Sequence, residues 1–454
     1  MGVLSESTIM GASGATGGGY TIDNSCRFDS ASASKLSRTP SGAGNRRTYT
    51  ISFWFKRGVT AGAHMYPFDA DGNGDIYILT SSEKLGSQGY GSGYHTATQV
   101  LRDIGNWYHL IMAVDTTQGS ASNRVKHYLN GSQITVWDSD SQPSQNDDSD
   151  VNNTVAHTIG GKSGGNYFDG YLAEFHLIDG QQLTPSDFGE VDEDYGHWKP
   201  IKYTGSHGTN GFYLDFADSS SLGNDASANS NDFTVTNITA SDQVTDTPTN
   251  NFPVMNNLNN QPFATTFAEG NLEITTGGSG QEPSNMATFG MKTGKWYFEV
   301  YQKSGGDWGL IGIRSQQSGS ISPTAKDSVG KSADGYALLG KGTHSGAQNL
   351  VNNNAYVSYG TAQDYGNGDV ISVAVDLDNN KCYWAKNGTY INSGNPGSNS
   401  NGHSITAVGS TSSGEYFPCL GDYDASSYVF LTNFGQDGTF AGNITAGGNA
   451  DGNG

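Results

Sequence analysis

Two stretches of the chain, Trp107–Gly131 and Asp369–Gly388, carry the same pattern of apolar and polar positions. Each has a strand-like apolar run, an acidic break and a second run that ends in Asn-Gly. In the second stretch, aliphatic residues at positions 371, 373, 375 and 377 alternate with smaller or polar ones, which predicts a strand with one apolar face. The first stretch is apolar on both faces and predicts a central strand covered on both sides. Because Asn-Gly tolerates the backbone angles of a tight turn, both stretches are predicted hairpins.

The two hairpins lie far apart, which predicts a tandem of two β domains. The 454 residues are enough for two or three domains, and the chain has 64 glycines, 11% aromatic residues and only 15% charged residues. No long segment has helical periodicity, so many short strands joined by polar turns are expected. The fold class is therefore predicted to be all-β, with two tandem antiparallel β-sandwiches.

The negative net charge limits the kinds of partner that the chain is expected to bind. A formal net charge of -21 with only 23 Lys and Arg residues argues against nucleic acid, whose binding requires clustered basic side chains. The same charge repels anionic glycans unless divalent cations screen or bridge them. We therefore expect no required cofactor, and calcium binding stays an open alternative. The Gly/Ser/Ala-rich start resembles neither a secretion signal nor a membrane anchor, and no run reaches membrane-spanning length, so membrane insertion is not expected.

The chain has three cysteines, Cys26, Cys382 and Cys419, which is not the pattern of a disulfide framework. Cys382 and Cys419 lie in strand-like runs beside aromatic residues, where a small apolar side chain packs well. We therefore expect buried thiols without disulfide bonds. A bridge between Cys382 and Cys419 is the less favoured alternative.

The first predicted domain, 20–192, contains several short sequence motifs in a recognisable order. Trp107-Tyr108-His109 precedes Val125–Gly131 and a closing Phe168–Leu177, and Arg38-Thr39-Pro40 and Leu183–Gly189 add further matches. This order resembles the LamG-like, concanavalin A-like jelly roll found in proteins of marine bacteriophages. The resemblance implies a two-sheet sandwich of the kind shared by lectins and hydrolases.

The remaining chain divides by composition. Residues 193–262 are a polar connector with a short apolar strand at 211–216, and composition leaves both an ordered connector and a flexible linker open. Residues 263–440 contain Gly294–Val300, Gly309–Ile313 and Tyr416-Phe417-Pro418 around the second hairpin. That order is similar to the SPRY family, a sandwich used as a binding module. A Gly/Asn-rich tail fills 441–454, and relatives often continue past such a tail.

An acidic turn between two strand-like runs resembles a calcium loop. Asp69, Asp71, Asn73 and Asp75 supply oxygen atoms at alternating positions, as calcium loops do. The twelfth position is Thr80 rather than a bidentate Glu, and flanking helices are missing. An acidic hairpin turn is the favoured alternative, because short loop motifs match by chance.

No catalytic constellation emerges from the sequence. Glycoside hydrolysis on this kind of fold needs two acidic residues on one strand face, but the next same-face position after Glu174 is His176. Glu174 is therefore predicted to be a polar group on a half-exposed strand. Asp376 and Asp378 have the required spacing but enter a turn, where hydrogen bonding to the turn backbone is the expected role. No zinc spacing, thiol–histidine pair or phosphate loop is found.

Aromatic residues on predicted loops are the remaining candidates for a site. Tyr90, Tyr94 and His95 lie in a Gly/Ser-rich segment, and Trp308 follows Gly305-Gly306-Asp307. Exposed planar rings at sandwich ends stack on sugar faces or apolar peptide groups. These residues are therefore predicted ligand contacts. Packing at the edge of the domain's own core is the open alternative.

By resemblance, the chain is expected to be a non-enzymatic bacteriophage virion surface protein assembled in the host cytoplasm, most simply a tail fibre or host-recognition fibre. The expected partners are other virion proteins, docked through residues 1–19, and a host cell-surface glycan or protein. Fibres of this type are usually trimers, so a homo-oligomer is expected, with a trimer favoured. A capsid decoration or structural adaptor protein is the alternative, and a glycan depolymerase is a more distant one.

Overall fold

The structure is a computed structural model that describes residues 19–58, 64–71, 74–79, 82–162, 164–259, 265–277, 282–315, 328–341, 349–361, 363–424 and 426–446. The chain divides into two compact units, Met1–Phe252 and Pro253–Gly454. Within the described ranges the units are built from strands and single 3₁₀ turns, so the all-β prediction is confirmed. None of the helical segments in these ranges is long and apolar enough for a membrane crossing.

The strands of the first unit are short and antiparallel. In chain order they are Ser25–Phe28 (β1), Lys35–Arg38 (β2), Thr48–Arg57 (β3), Met65–Ala70 (β4), Asp75–Leu79 (β5), Lys84–Tyr90 (β6), Gly93–Val100 (β7), Tyr108–Asp115 (β8), Val125–Leu129 (β9), Ser132–Gln133 (β10), Trp137–Ser141 (β11), His157–Ile159 (β12), Gly170–Asp179 (β13), Gly189–Val191 (β14), Trp198–Pro200 (β15), Phe212–Leu214 (β16), Thr234–Thr236 (β17) and Gln243–Val244 (β18). Its 3₁₀ turns are Ala121–Asn123, Pro185–Asp187 and Ala240–Asp242.

Two large sheets form the first unit. Sheet 1 has the order β10-β9-β8-β3-β13-β1-β18, with β16 also paired to β13, and sheet 2 has the order β11-β7-β6-β5-β4-β12-β2-β17. Aromatic and aliphatic side chains of both sheets meet in one core, in which Phe53 and Phe175 stack with ring centroids 4.7 Å apart. Strand β8 lies between β3 and β9 and is buried on both faces, which confirms the predicted central strand.

The first unit extends further along the chain than the sequence indicates. The structure places the predicted connector up to Phe252 within this unit, where β16, β17 and β18 pair with β13, β2 and β1. Six apolar residues of this return segment, defined as 193–252, join the core: Phe212, Leu214, Phe216, Leu222, Phe233 and Ile238. Composition alone does not reveal these apolar residues, because they are spaced widely between Asn, Ser and Asp residues in a segment that is polar on average. The segment is ordered rather than a flexible linker.

The second unit repeats the two-sheet arrangement. Its strands are Thr266–Ala268 (β19), Glu273–Thr275 (β20), Ser284–Met286 (β21), Lys295–Ser304 (β22), Gly309–Arg314 (β23), Gly335–Leu339 (β24), Leu350–Asn352 (β25), Ala355–Val357 (β26), Val370–Asp376 (β27), Lys381–Lys386 (β28), Thr389–Tyr390 (β29), His403–Ser404 (β30), Phe417–Asp422 (β31) and Val429–Asn433 (β32). Its 3₁₀ turns are Asn257–Asn259, Ile391–Ser393 and Val408–Ser410. Sheet 3 has the order β19-β20-β32-β22-β27-β28-β29, with β30 paired to β28, and sheet 4 has the order β21-β31-β23-β24-β25-β26.

The core of the second unit lies between sheets 3 and 4 and includes Ile311, Val373 and Trp384. A smaller apolar cluster on the opposite face of sheet 4 includes Leu310 and Leu339. Because neighbouring residues of a strand point to opposite faces, β23 supplies Ile311 to the first cluster and Leu310 to the second. The second cluster supports the candidate site described below.

Both Asn-Gly pairs occupy the tight turns that the sequence predicts. Asn130 and Gly131 have φ values of 48° and 77° and connect β9 to β10, and Asn387 and Gly388 have values of 47° and 78° and connect β28 to β29. Two successive positive φ angles are the geometry of a type I′ turn, which matches the twist of the flanking strands. The paired strands β8–β9 and β27–β28 confirm both hairpins.

The structure also tests the predictions for the cysteines and for Asp376. All three cysteines are buried and none is in a disulfide bond, so the alternative bridge is excluded. Burial raises the pKa of the Cys26 and Cys382 thiols, which keeps them protonated. Asp376 accepts hydrogen bonds from the backbone and side chain of Asn379 at 3.0 Å and 2.9 Å, which is the predicted turn role.

The turn glycines differ in a way that predicts their tolerance to substitution. A Cβ added at Gly131 would lie 2.5 Å from the Trp198 ring, whereas Gly388 and the turn residue Gly119 have open space. We expect Gly388→Ala to destabilise the second unit by about 1–2 kcal/mol through backbone strain alone. Gly131→Ala should cost the first unit more, because the clash adds to the strain. Denaturant unfolding measures both, with Gly119→Ala as the control, and equal losses for Gly131→Ala and Gly119→Ala would contradict the expectation.

Candidate functional site

The aromatic residues predicted on a loop of the first unit lie instead on the paired strands β6 and β7. Tyr90 and His95 are fully buried, and the Tyr90 hydroxyl is hydrogen-bonded to His95 Nδ1. Their exposure was therefore predicted wrongly, because both side chains point inward and pack against His127. Tyr94, which directly precedes His95 on β7, points outward and is 50% exposed. A ligand contact by Tyr94 stays a prediction.

The acidic turn places its carboxylates in different environments. Asp69 and Asp75 are buried, whereas Asp71 is exposed at a φ of 50°. Asp75 accepts hydrogen bonds from Lys162 Nζ at 2.8 Å and from Gln88 Nε2 at 2.9 Å, so its charge is already neutralised. Asn73 and Thr80 lie outside the described residues. No group of three metal-ligating side chains is found in the part of the chain that the structure describes, and calcium binding stays a prediction.

Trp308 is the predicted contact that the structure leaves half-buried at a surface. It precedes β23, directly after a turn in which Gly305 has a φ of 130° and lies so close to Tyr428 that an added Cβ would be 2.3 Å from that ring. Lys341 Nζ lies 5.6 Å from the Trp308 ring centroid and 2.9 Å from Asp307 Oδ2. An aromatic face is therefore flanked by one cation and one anion.

Two tyrosines that the sequence did not single out extend this surface. The Tyr423 ring stacks on Trp308 at a centroid distance of 6.0 Å and an interplanar angle of 19°, and Tyr356 follows Tyr423 at 5.7 Å. Lys331 Nζ lies 5.3 Å above the Tyr423 ring and pairs with Glu282. Trp308, Tyr356 and Tyr423, called the aromatic strip below, are all partly exposed and rest on the outer apolar cluster of sheet 4.

The aromatic strip depends on tertiary packing, and this explains why sequence reasoning missed two of its members. Tyr423 follows β31 and Trp308 precedes β23, which is paired with β31, whereas Tyr356 lies on β26 at the edge of the same sheet, separated from β23 by β24 and β25. These positions are distant in sequence, and the Tyr356 ring reaches Tyr423 only in the folded unit. The alternation of β25 and β26 places Val351 and Tyr356 opposite each other, but no short motif marks that register.

A cluster of polar side chains, separate from the aromatic strip, lies around Glu174 on the face of sheet 1 that points away from sheet 2. Glu174 is only 6% exposed, so the prediction of a half-exposed strand is wrong, because the return segment covers this face. Tyr20 donates a hydrogen bond to Oε2 at 2.9 Å and Tyr213 donates one to Oε1. Glu174 has a φ of 48° where the register of β13 and β3 shifts between Ala173 and His176, which marks a β-bulge.

A serine and a histidine beside Glu174 also meet, in a geometry that does not activate the serine. Ser52 Oγ lies 2.9 Å from His109 Nε2, and Trp198 donates its indole N–H to His109 Nδ1 at 2.9 Å. An indole can only donate, so Nδ1 carries no proton and the neutral ring carries it on Nε2. Nε2 therefore donates to Ser52 and cannot take its proton. Burial lowers the pKa of His109 to about 3, which keeps the ring neutral.

The comparisons with known proteins bear on the first unit. Residues 30–187 match the family model described as the concanavalin A-like lectin/glucanases superfamily. This segment is similar to concanavalin A-like lectins and glucanases. No curated protein matches the chain.

Three solved structures that match this chain share little sequence with it. The SPRY domain of human HERC1 is 15% identical, with 39% of this chain and 96% of that chain covered and a TM-score of 0.28. A heptameric SAP-like pentraxin from Limulus polyphemus is 16% identical, with 36% and 78% covered and a TM-score of 0.26. A protein from Bacteroides ovatus, provisionally described as carbohydrate-binding, is 14% identical, with 48% and 58% covered and a TM-score of 0.29.

Because the matched family model includes glucanases, the carboxylates of sheet 1 must be considered as catalytic groups. A glycosidase of the usual kind places two carboxylates on opposite sides of the scissile bond. The small space beside Glu174 is also lined by His109, His176 and Phe188, and Glu174 is the one carboxylate in its lining. Both oxygens of Glu174 are already hydrogen-bonded to tyrosines. The described residues around this space do not supply the pair that the chemistry needs.

The buried histidines predict that acid destabilises the first unit. His157 Nε2 accepts the backbone N–H of Asn152 at 3.0 Å, and burial lowers the His157 pKa from 6.5 to about 4. Between these values the unfolded chain binds more protons than the folded one, so stability falls as the pH drops. We expect this histidine to contribute a loss of about 1.4 kcal/mol per pH unit across that window.

Denaturant unfolding at a series of pH values measures this dependence. His157→Asn should flatten the acid slope, while the exposed His197→Asn should leave it unchanged. The same slope in both variants would contradict a neutral, buried His157.

Proposed function

We propose that this protein is a non-catalytic recognition protein on the surface of a bacteriophage particle, which binds a bacterial surface glycan through the aromatic strip. The observation that carries the proposal is the partly exposed row of Trp308, Tyr423 and Tyr356 with charged groups at its margin. A host surface protein with an exposed apolar group is the second ligand compatible with such a surface.

The chemistry of the aromatic strip suits a sugar ring. The apolar C–H face of a sugar packs on an aromatic ring, and the hydroxyl groups at its edge need hydrogen-bond partners. Asp307 and Lys341 lie at the Trp308 end and are each more than a third exposed, with side-chain exposures of 45% and 38%. The carboxylate can accept a hydrogen bond from a sugar hydroxyl, and the ammonium can donate one to it.

A non-catalytic role is supported by the arrangement of the groups with catalytic chemistry. The tautomer of His109 prevents this ring from acting as a base for Ser52, and Glu174 is held by Tyr20 and Tyr213 under the return segment. Both clusters are buried, whereas the rings of the aromatic strip are partly exposed. The available contact surface therefore favours adhesion over bond cleavage.

The phage role and the fibre architecture rest on sequence resemblance. The LamG-like order of phrases followed by a SPRY-like half resembles tail-fibre proteins, and the absence of disulfides suits assembly in a reducing cytoplasm. In a trimer, weak sugar contacts would be multiplied by their high effective concentration. We include a homotrimer and attachment to other virion proteins in the proposal.

Binding of the full-length chain to polysaccharide from a susceptible bacterium tests the proposal. Trp308→Ala should weaken binding about tenfold, since aromatic stacking is worth about 0.5–1.5 kcal/mol beyond area and 1.4 kcal/mol is a factor of ten. Asp307→Asn should weaken it less, because the amide oxygen still accepts a hydrogen bond.

Tyr297→Ala is the matched control, because Tyr297 is 50% exposed on sheet 3 of the same unit and lies outside the aromatic strip. Unchanged affinity in Trp308→Ala, or equal losses in Trp308→Ala and Tyr297→Ala, would contradict the proposed contact. Release of new reducing ends from the polysaccharide would contradict the non-catalytic role.

A further inference from the structure

Lys56, near the end of β3, is completely buried and its ammonium nitrogen contacts three oxygen atoms of the return segment. Nζ lies 2.8 Å from Asp246 Oδ2, 2.8 Å from Asn251 Oδ1 and 2.6 Å from the Phe252 carbonyl oxygen. The Tyr171 ring forms an apolar wall with its centroid 5.9 Å from Nζ. A completely buried amine and carboxyl group therefore meet the side-chain amide of the half-buried Asn251.

The carboxyl group is also completely buried and is held in place from its other side. Trp107 donates its indole N–H to Asp246 Oδ1 at 3.0 Å, and the Phe252 N–H donates to the same oxygen at 3.3 Å. Asp246 Oδ2 faces Lys56. Burial lowers the pKa of Lys56 and raises the pKa of Asp246, which makes proton transfer from the ammonium to the carboxylate easier than it is in water.

The amide of Asn251 is oriented by hydrogen bonds at its nitrogen. Nδ2 donates to the Gly105 carbonyl oxygen at 2.8 Å and to Asn106 Oδ1 at 3.2 Å. The carbonyl end of the amide therefore faces Lys56, and the nitrogen faces the exposed Asn106. A neutral lysine amine is a nucleophile, and a fixed neighbouring carbonyl removes much of the entropy cost of attack.

We propose that Lys56 and Asn251 join in an intramolecular isopeptide bond, with Asp246 as the proton carrier. Lys56 Nζ attacks Asn251 Cγ, and the bond between Cγ and Nδ2 breaks. One proton leaves Nζ for Asp246, and Asp246 gives one proton to Nδ2, which departs as ammonia on the side of Asn106. Asp246 ends in the protonation state in which it started, so the step needs no oxidant, reductant or other reactant.

The bond would have a mechanical consequence for the first unit. Asn251 is adjacent to the boundary at Phe252, and β18, the strand that precedes it, is only two residues long. A covalent link from Asn251 to the ten-residue strand β3 would pass tension on the chain directly to the centre of sheet 1. This role is independent of the proposed ligand, and it suits a protein that remains folded outside a cell.

The intact mass of the denatured full-length chain tests the proposal. We expect a mass lower than that of the sequence by one ammonia, and after proteolysis a branched peptide that joins the segments of Lys56 and Asn251. Succinimide formation at an Asn-Gly pair such as Asn130-Gly131 also releases ammonia. It gives no branched peptide and is cleaved by hydroxylamine, so the two are distinguished. Linear peptides that contain unmodified Lys56 and unmodified Asn251 would overturn the proposal.

Variants assign the roles. Asp246→Asn, which keeps the shape but does not carry a proton, should leave the two peptides unlinked, and continued linkage would overturn the role of Asp246. Lys162→Met is the control, because Lys162 pairs with Asp75 at 2.8 Å without a side-chain amide at its Nζ in the contacts described. This variant should retain the branched peptide, and its loss would contradict the assignment to Lys56.

Discussion

The fold of the first unit depends on covering the outer face of sheet 1. Strands β3, β8 and β13 are buried on both faces, so a two-sheet sandwich alone would leave one face of each against water. Two aromatic residues cover that face: Phe188, and Tyr203 from the return segment, pack over Ile111 and Ile178. The return segment also adds apolar residues to the central core, and each fully buried one contributes roughly 1.5–3 kcal/mol. Since whole domains are stable by only about 5–15 kcal/mol, the unit requires this segment.

The same cover decides which chemistry is open to a partner. It seals Glu174, His109 and Ser52 beneath aromatic rings, where hydrogen bonds fix their protonation and leave no room for a substrate. The second unit leaves the aromatic strip of sheet 4 partly exposed. Polar groups are thus buried and paired in the first unit, whereas the rings of the aromatic strip stay partly exposed in the second. The division follows from packing, since polar groups satisfied inside a fold are not available to a ligand.

The sequence determines the local elements well and the long-range partnerships poorly. Alternation and Asn-Gly turns were sufficient for both hairpins and for the all-β class, because these features depend on neighbours in the chain. The end of the first unit could not be predicted in this way, because Phe212 and Phe233 are isolated apolar residues in a polar segment. Their burial depends on the pairing of β16 with β13 and of β17, which follows Phe233, with β2, and both partner strands are far away in sequence.

The candidate sites follow the same rule. Trp308 could be found, because a Gly-Gly turn before a strand places the next aromatic residue near a surface, but Tyr423 and Tyr356 join it only through ring contacts made in the folded unit. Tyr90 and His95 were misplaced because a Gly/Ser-rich segment reads as a loop, whereas here its glycines lie in paired strands or in the short turn between them. The role of Lys56 could not be read at all, since its three oxygen partners lie about two hundred residues away.

Native-state hydrogen exchange of the full-length chain tests most directly whether the return segment belongs to the first unit. The account predicts that the hydrogen-bonded amides of Phe212–Leu214, Thr234–Thr236 and Gln243–Val244 exchange only through the same global opening that exposes Tyr108–Asp115. Equal opening free energies in these four segments would support a single cooperative unit that ends at Phe252. Exchange of the three return strands at the rates of an unstructured peptide, with Tyr108–Asp115 still protected, would contradict it.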